Sequence, residues 1–385
     1  MKSSFYCITL FIFFACNHSK STSVSDPLPS LEISLDTVMI DPGDEILFLK
    51  LGLALSALSD NKNYLFNLDP RKNSIEQINL NTLSFEKKFI FEKEGPNGVD
   101  GYILGFSLIN DEQLLFCTSQ KISIFNWQAQ KIKSTNIINL GKVSNQLEDG
   151  EWPFITVSIS PEGNQFASLI FNYEEKTNAL ALINLDDETF RRLAVPTIEK
   201  AKKYEVTFKE NGGGSGIVST RYLKEGGGKI LLGTSVSSEV YVLDKGSDTL
   251  RHLTFNSQLT PNEKKGTYPS EVGTLAELAL FKRKIEEDIN FKEPVWDEKK
   301  QVYYRLSYQL GFEDNFDQNE NHVFPIPIGA TVYLSVLDKN FNLIVEKKVP
   351  ELSKNPSFHF AKDGKLWLFE NIEDEMGFVR LDINW

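Results

Sequence analysis

From residue 31 to the C-terminus, short runs of apolar, β-branched and aromatic residues alternate with polar positions and are cut by compact polar turns. This is the period-two pattern of half-buried strands. Six times a run ends in a turn and a second apolar run follows, the turns opening near Ser59, Asn110, Ser160, Lys224, Trp296 and Ala361. Each predicts a hairpin. A third strand follows every hairpin, and in the first five units another turn leads to a fourth, as in Ile183-Asn-Leu-Asp-Asp-Glu-Thr-Phe and Val242-Leu-Asp-Lys-Gly-Ser-Asp-Thr-Leu. Four strands recurring at roughly 50 to 70 residues is the spacing of propeller blades with insertions. The sixth unit ends at Trp385 soon after its third strand, Gly377 to Ile383, while Leu31 to Ile40 is strand-like and belongs to no other unit. Pairing these two runs predicts an all-β fold, a six-bladed β-propeller closed by its N-terminal strand. One helical insertion is expected, from about Ser270 to Asp288, with Val272, Leu275, Leu278 and Phe281 at helical spacing. A β-sandwich or two stacked all-β domains would also fit regular strand spacing.

The N-terminus has a different pattern. Lys2 precedes an apolar run from Phe5 to Ala15 that stops at Cys16, the layout of a secretory signal and too short for a membrane span. Residues 1–15 are therefore expected to be a signal peptide. The segment Phe13-Phe14-Ala15-Cys16 resembles the lipobox of bacterial lipoproteins, which implies lipidation of Cys16, although a Phe stands three residues before the Cys. An ordinary cleaved signal with an incidental Cys is the alternative. Cys7 lies inside the signal and Cys117 within an apolar run, so Cys16 has no evident disulfide partner. Residues 16–30 are rich in Ser and Pro and read as a flexible tether with a reach of about 20 Å. Residues 31–385 form the propeller domain.

Charge narrows the partners. The chain has 41 basic and 53 acidic residues; loss of residues 1–15 removes only Lys2, leaving 40 against 53, or −13. With no basic stripe interleaved with aromatics, no nucleic-acid partner is expected.

In an up-and-down four-stranded blade, the turns joining strands one to two and three to four share one end. The two-to-three loops and the crossovers between blades share the other. The long segments, 92–102, 139–153, 197–215, 256–288 and 311–329, all belong to the second set, and long loops on a rigid scaffold are where function concentrates. Tyr102, Trp152, Tyr173 and Tyr268 lie in or beside them, and with His322 they are the candidate ligand contacts. Gly212 to Gly216 reads as a flexible loop or hinge without the context of a phosphate cradle. No metal or cofactor is expected. The histidines lack paired metal spacing, and the oxygen-rich run Asn315, Asp317, Asn319 and Asn321 lacks the central Gly and closing Glu of a calcium loop. No nucleophile elbow occurs, so no catalytic residue is assigned. Asp100, Asp149, Glu151 and Glu271 are acids that could converge for glycoside chemistry.

The lipobox-like segment and the six hairpins together resemble uncharacterised lipoproteins of Bacteroidetes-type bacteria that carry a TolB-like or NHL-like six-bladed propeller. The resemblance implies a location and a fold but no activity. The reading is a lipid-anchored protein of the cell envelope, on the outer-membrane or periplasmic side. It binds a protein, peptide or glycan through its insertion-bearing face without catalysis. The alternative is an envelope hydrolase or lyase acting on glycan or peptide.

Overall fold

The computed structural model describes residues 30–210, 213–247, 249–313 and 324–385. The signal segment, Cys16, nearly all of the tether, and His322 with the oxygen-rich run around it lie outside the described residues. The fold is all-β. Six consecutive units each form an antiparallel sheet in chain order. Their first strands are Ser56–Leu58, Gly105–Leu108, Glu151–Ser158, Arg221–Gly226, Val295–Asp297 and His359–Lys362. Each of the six predicted turns joins two antiparallel strands. In the sixth unit the fourth position is taken by Glu32–Met39, which runs antiparallel to Glu375–Asn384 without a break, from Glu32↔Asn384 to Met39↔Gly377.

One local device ends many of these strands. An Asn or Asp side chain accepts hydrogen bonds from backbone N–H groups two to four residues on and turns the chain. Asn79, Asn110, Asn126, Asp297 and Asp338 act in this way between strands. The same residue types that cut the apolar runs in the sequence thus fold the hairpins.

The apolar faces meet between units. Phe66, Leu68 and Ile75 of the first unit pack on Leu114, Phe116 and Phe125 of the second. Ile122 and Ile124 meet Phe166 and Ile170 of the third, and Leu169 and Leu180 meet Leu223 and Leu232 of the fourth. Leu231 and Val242 meet Tyr303 and Leu337 of the fifth, and Tyr304 and Leu334 meet Leu366 and Leu381 of the sixth. A further cluster joins Phe360, Trp367 and Phe378 of the last unit to Leu65 and Ile78 of the first. Each fully buried Leu, Ile or Phe contributes about 1.5–3 kcal/mol.

The crossovers on either side of the fourth unit build a small lobe. Val206–Glu210 pairs antiparallel with Gly213–Ile217 and parallel with Glu271–Val272. Helix Leu275–Glu287 lays Leu278 and Ile285 against Ala201, Tyr204 and Val206. Three expectations are corrected here. The helix starts five residues later than Ser270, because Thr274 and Glu277 form a capping box and Glu271–Val272 is held as a strand. Two more helical segments exist, Ile137–Val143 and the 3-10 helix Pro196–Tyr204, each too short for a periodic pattern to reveal. The glycines of 213–217 form a strand and not a loop, because Val206–Glu210 offers them a ladder.

Lys264 pins this lobe. Its buried ammonium donates to Ile285 O at 2.6 Å and Asn290 Oδ1 at 2.9 Å, and burial presses its pKa down from 10.5 to about 8. Between those values the unfolded chain holds a proton that the folded chain has released, so stability rises with pH there. From pH 9.0 upward the rise is opposed by Cys117, whose buried thiol is pushed up to about 11 while the unfolded thiol ionises. A net gain is therefore expected from pH 8 to 9, of about 1 kcal/mol. Denaturant unfolding across that range should lose this rise in Lys264→Met; a rise that persists in the variant would assign it to another group.

Candidate functional site

Strand order puts the two sets of connections at opposite ends of the sheets, and contacts between units show the short turns gathered at one end. Asn110 Nδ2 donates to Pro161 O at 2.9 Å, Lys62 Nζ reaches Trp296 O and Glu298 at 2.7 Å, and Lys299 Nζ reaches Asp363 O at 3.3 Å. Among the described residues, no exposed large apolar side chain lies in these short turns. Such side chains gather in the other set of connections, including Ile46, Tyr102, Val143, Val218, Ile326 and Ile328. Tyr102 is 62% exposed and Ile328 67%.

A cleft of about 200 Å³ opens at that end where the crossover from the first unit meets the turn after Cys117. It is lined by Asp100, Gly101, Tyr102, Leu104 and residues 118–121. Its floor is local in origin: Thr118 Oγ1 accepts from the N–H of Lys121 at 3.1 Å, which holds the turn in place. Asp100 adopts φ 59°, an uncommon left-handed conformation that a short polar side chain tolerates. A hydrogen bond from Lys131 at 2.8 Å holds the Asp100 carboxyl below its ordinary range, and Lys121 lies 3.8 Å away. The cleft therefore offers one exposed aromatic ring beside an acid already paired with lysines. It is smaller than a typical small-molecule pocket of roughly 300–1,000 Å³, and its size suits a side chain or a single ring of a larger partner.

The other candidates are not brought into this cleft. Trp152 is half-buried, edge-on to Phe171 at 6.1 Å, and Tyr173 is exposed beside the same Phe171. Tyr268 is spent within the lobe, its hydroxyl donating to Lys284 O at 3.2 Å and its ring packed on Tyr204 and Phe281. The four acids are engaged separately. Glu151 is fully buried in a bidentate pair with Arg192 at 2.5 and 2.7 Å. Asp100 is held as described, Glu271 lies 3.7 Å from Lys209, and exposed Asp149 offers its backbone carbonyl to Asn172. Among the described residues no group of three or more His, Cys, Asp or Glu side chains is placed to hold a metal. His359 is buried between the carbonyls of Ser357 and Glu293.

Thr118 and Lys121 were not legible as partners of Tyr102. They belong to a different connection, and only the pairing of Gly105–Leu108 with Gln113–Cys117 brings them beside it.

Two solved structures are similar in fold. One is a protein from Bacteroides vulgatus, 17% identical with a TM-score of 0.60, covering 92% of this chain and 98% of that one. The other is a Bacteroides fragilis protein described as exported, 10% identical with a TM-score of 0.51, covering 92% and 96%. No curated protein matches the chain in sequence. The Bacteroides vulgatus protein is itself a member of the family described as Domain of unknown function (DUF4221). That family's sequence pattern matches residues 30–348 of this chain, from the N-terminal strand to the last strand of the fifth unit, and the chain belongs to the family.

Proposed function

We propose that this protein is a lipid-anchored, six-bladed propeller of the cell envelope that binds a protein, peptide or glycan through the end bearing its long connections. The observation that carries the reading is the uneven distribution of exposed apolar side chains: Ile46, Tyr102, Val143, Val218, Ile326 and Ile328 lie at that end, while the short turns opposite hold none and Trp385, 40% exposed, lies beyond the last strand there. Long connections on a rigid scaffold are where binding residues concentrate, and these connections carry the exposed apolar groups. The ring is supported by the succession of cores between neighbouring units, the last of which joins the sixth unit to the first, and by the pairing of Glu32–Met39 with the C-terminal strand. Since Glu32 lies opposite Asn384, the chain enters from the short-turn end. A tether running back to Cys16 would hold that end toward the bilayer and turn the connection-bearing end away from it.

The test is photo-crosslinking in intact cells from a reactive residue placed at Tyr102 or Ile328, compared with Asn81 or Glu112 in the short turns. Discrete adducts from the first pair alone are expected; equal labelling from both ends would overturn the assignment. Independently, Cys16→Ala is expected to move the protein out of the membrane fraction. Retention in that fraction would remove the anchor.

A further inference from the structure

The cleft at Tyr102 carries polar groups that no neighbour uses. Both lysines near Asp100 approach the same oxygen, Lys131 Nζ at 2.8 Å and Lys121 Nζ at 3.8 Å from Oδ2. The first is a hydrogen bond and the second is too long to be one. Among the described residues, Asp100 Oδ1, the Lys121 ammonium and the side chains of Ser119 and Gln120 have no hydrogen-bond partner. All of them reach solvent: Ser119 and Gln120 are exposed, and the Asp100 and Lys121 side chains are 35% and 36% exposed. The backbone beneath them is fixed. Leu104 N–H donates to Cys117 O at 2.9 Å, Thr118 N–H to Lys121 O at 3.0 Å and Ile137 N–H to Gln120 O at 3.0 Å. The cleft is thus formed before any ligand arrives, which lowers the ordering cost of binding.

We propose that this cleft is the subsite for one neutral sugar ring of a glycan, stacked on the Tyr102 ring and hydrogen-bonded by Asp100, Gln120 and Lys121. The inference rests on the reading that the connection-bearing end binds the partner, and it names the partner's class. The volume of about 200 Å³ admits a single ring. A sugar ring is amphipathic in the way this lining is: its C–H face packs on an aromatic ring, and its hydroxyls both donate and accept. The Asp100 carboxylate, kept ionised by Lys131, only accepts, Lys121 only donates, and the Gln120 amide does both. In the free protein, water satisfies these exposed groups. Sugar hydroxyls replace such waters bond for bond, whereas an apolar side chain would displace them and return nothing. An anion meets the charge of Asp100. A cationic side chain meets a carboxylate already bound to Lys131, with Lys121 beside it.

The probes are neutral polysaccharides, namely starch, mannan, mixed-linkage β-glucan and xyloglucan, with polygalacturonate as the anionic comparison. Retardation of the whole protein is measured in native gels containing each polymer at graded concentration, which gives an affinity. Retardation by at least one neutral polymer is expected. Its affinity should fall about tenfold in Tyr102→Ala, stay within about threefold of the parent in Tyr102→Phe, which keeps the ring, and be unchanged in Ile328→Ala at the same end but outside the cleft. Tyr102 and Ile328 are both exposed, so these variants are expected to fold. No retardation by any neutral polymer, retardation by polygalacturonate alone, or binding unchanged in Tyr102→Ala overturns the sugar subsite. Crosslinking confined to the Tyr102 end together with no sugar binding removes the subsite and leaves the binding end standing. Equal crosslinking from both ends, with sugar binding that Tyr102→Ala weakens, does the reverse.

Discussion

Removal of residues 31–40 is expected to abolish the cooperative unfolding transition of the whole chain. This segment supplies the fourth strand of the last unit, eight residues in unbroken register, and its flanks serve two cores. Leu31 packs with Tyr304, Leu334 and Leu381 between the fifth and sixth units. Ile40 packs with Leu65 and Phe378 between the sixth and the first. Truncating one buried Leu or Ile costs about 2–5 kcal/mol, so losing both, together with a ladder of backbone hydrogen bonds, exceeds or rivals a typical total stability of about 5–15 kcal/mol. The ion pair of Asp36 with Arg380, at 2.6 and 2.7 Å, is half-exposed and adds little. Deletion also bares the edge of Glu375–Asn384, which favours aggregation. Circular dichroism melting checks the expectation, and an unchanged melt would sink the closed ring. If the deleted protein cannot be recovered, Ile40→Ala should still lower the unfolding free energy by about 2–5 kcal/mol.

Glu205→Ala is the second change of large expected effect. The Glu205 and Arg221 side chains are 3% and 2% exposed and meet at 2.7 Å. Arg221 also donates to Asn178 Oδ1 and Ser219 O, both at 2.9 Å, and lies over the Phe171 ring at 4.9 Å. The cluster thus ties the third unit, the start of the lobe and the first strand of the fourth unit together. Removing the carboxylate leaves a buried guanidinium without its counter-charge, which destabilises by about 3–5 kcal/mol. Replacing both members by apolar residues of similar size, Glu205→Leu with Arg221→Met, should recover most of that loss, because the unpaired charge is then gone. Urea unfolding of the two variants separates the cases. A single variant within about 1 kcal/mol of the parent would show that water reaches the guanidinium and that the pair is not buried in solution.

Much of the architecture was legible because it is written locally. Alternation at period two places side chains on alternate faces of a strand, and Asn79, Asn110, Asn126, Asp297 and Asp338 bend the chain through bonds to their own neighbours. The separation of short turns from long connections follows from strand order alone. Tyr102 was legible as an exposed aromatic in a long connection, though not the cleft around it.

The remainder depends on contacts between distant segments, and no local pattern encodes these. The glycines of 213–217 form a strand only because Val206–Glu210 lies alongside, and Glu271–Val272 is a strand only because it meets Thr207 and Phe208 from another crossover. Asp100, Glu151 and Glu271 could have converged, but each is drawn to a separate cation on another strand. The buried Arg305 is the clearest case. Its sequence surroundings read as an ordinary strand, and the backbone carbonyls of Ser237 and Ser238 that accept from its guanidinium are brought to it by the unit packed alongside. The sequence by itself determined the strands of the six units, their turns and the end of the molecule on which the long connections lie, since these arise from interactions among neighbouring residues. The lobe, the cleft and the buried charges were decided only by tertiary structure, where the energy of a polar group depends on the partners that distant segments bring to it.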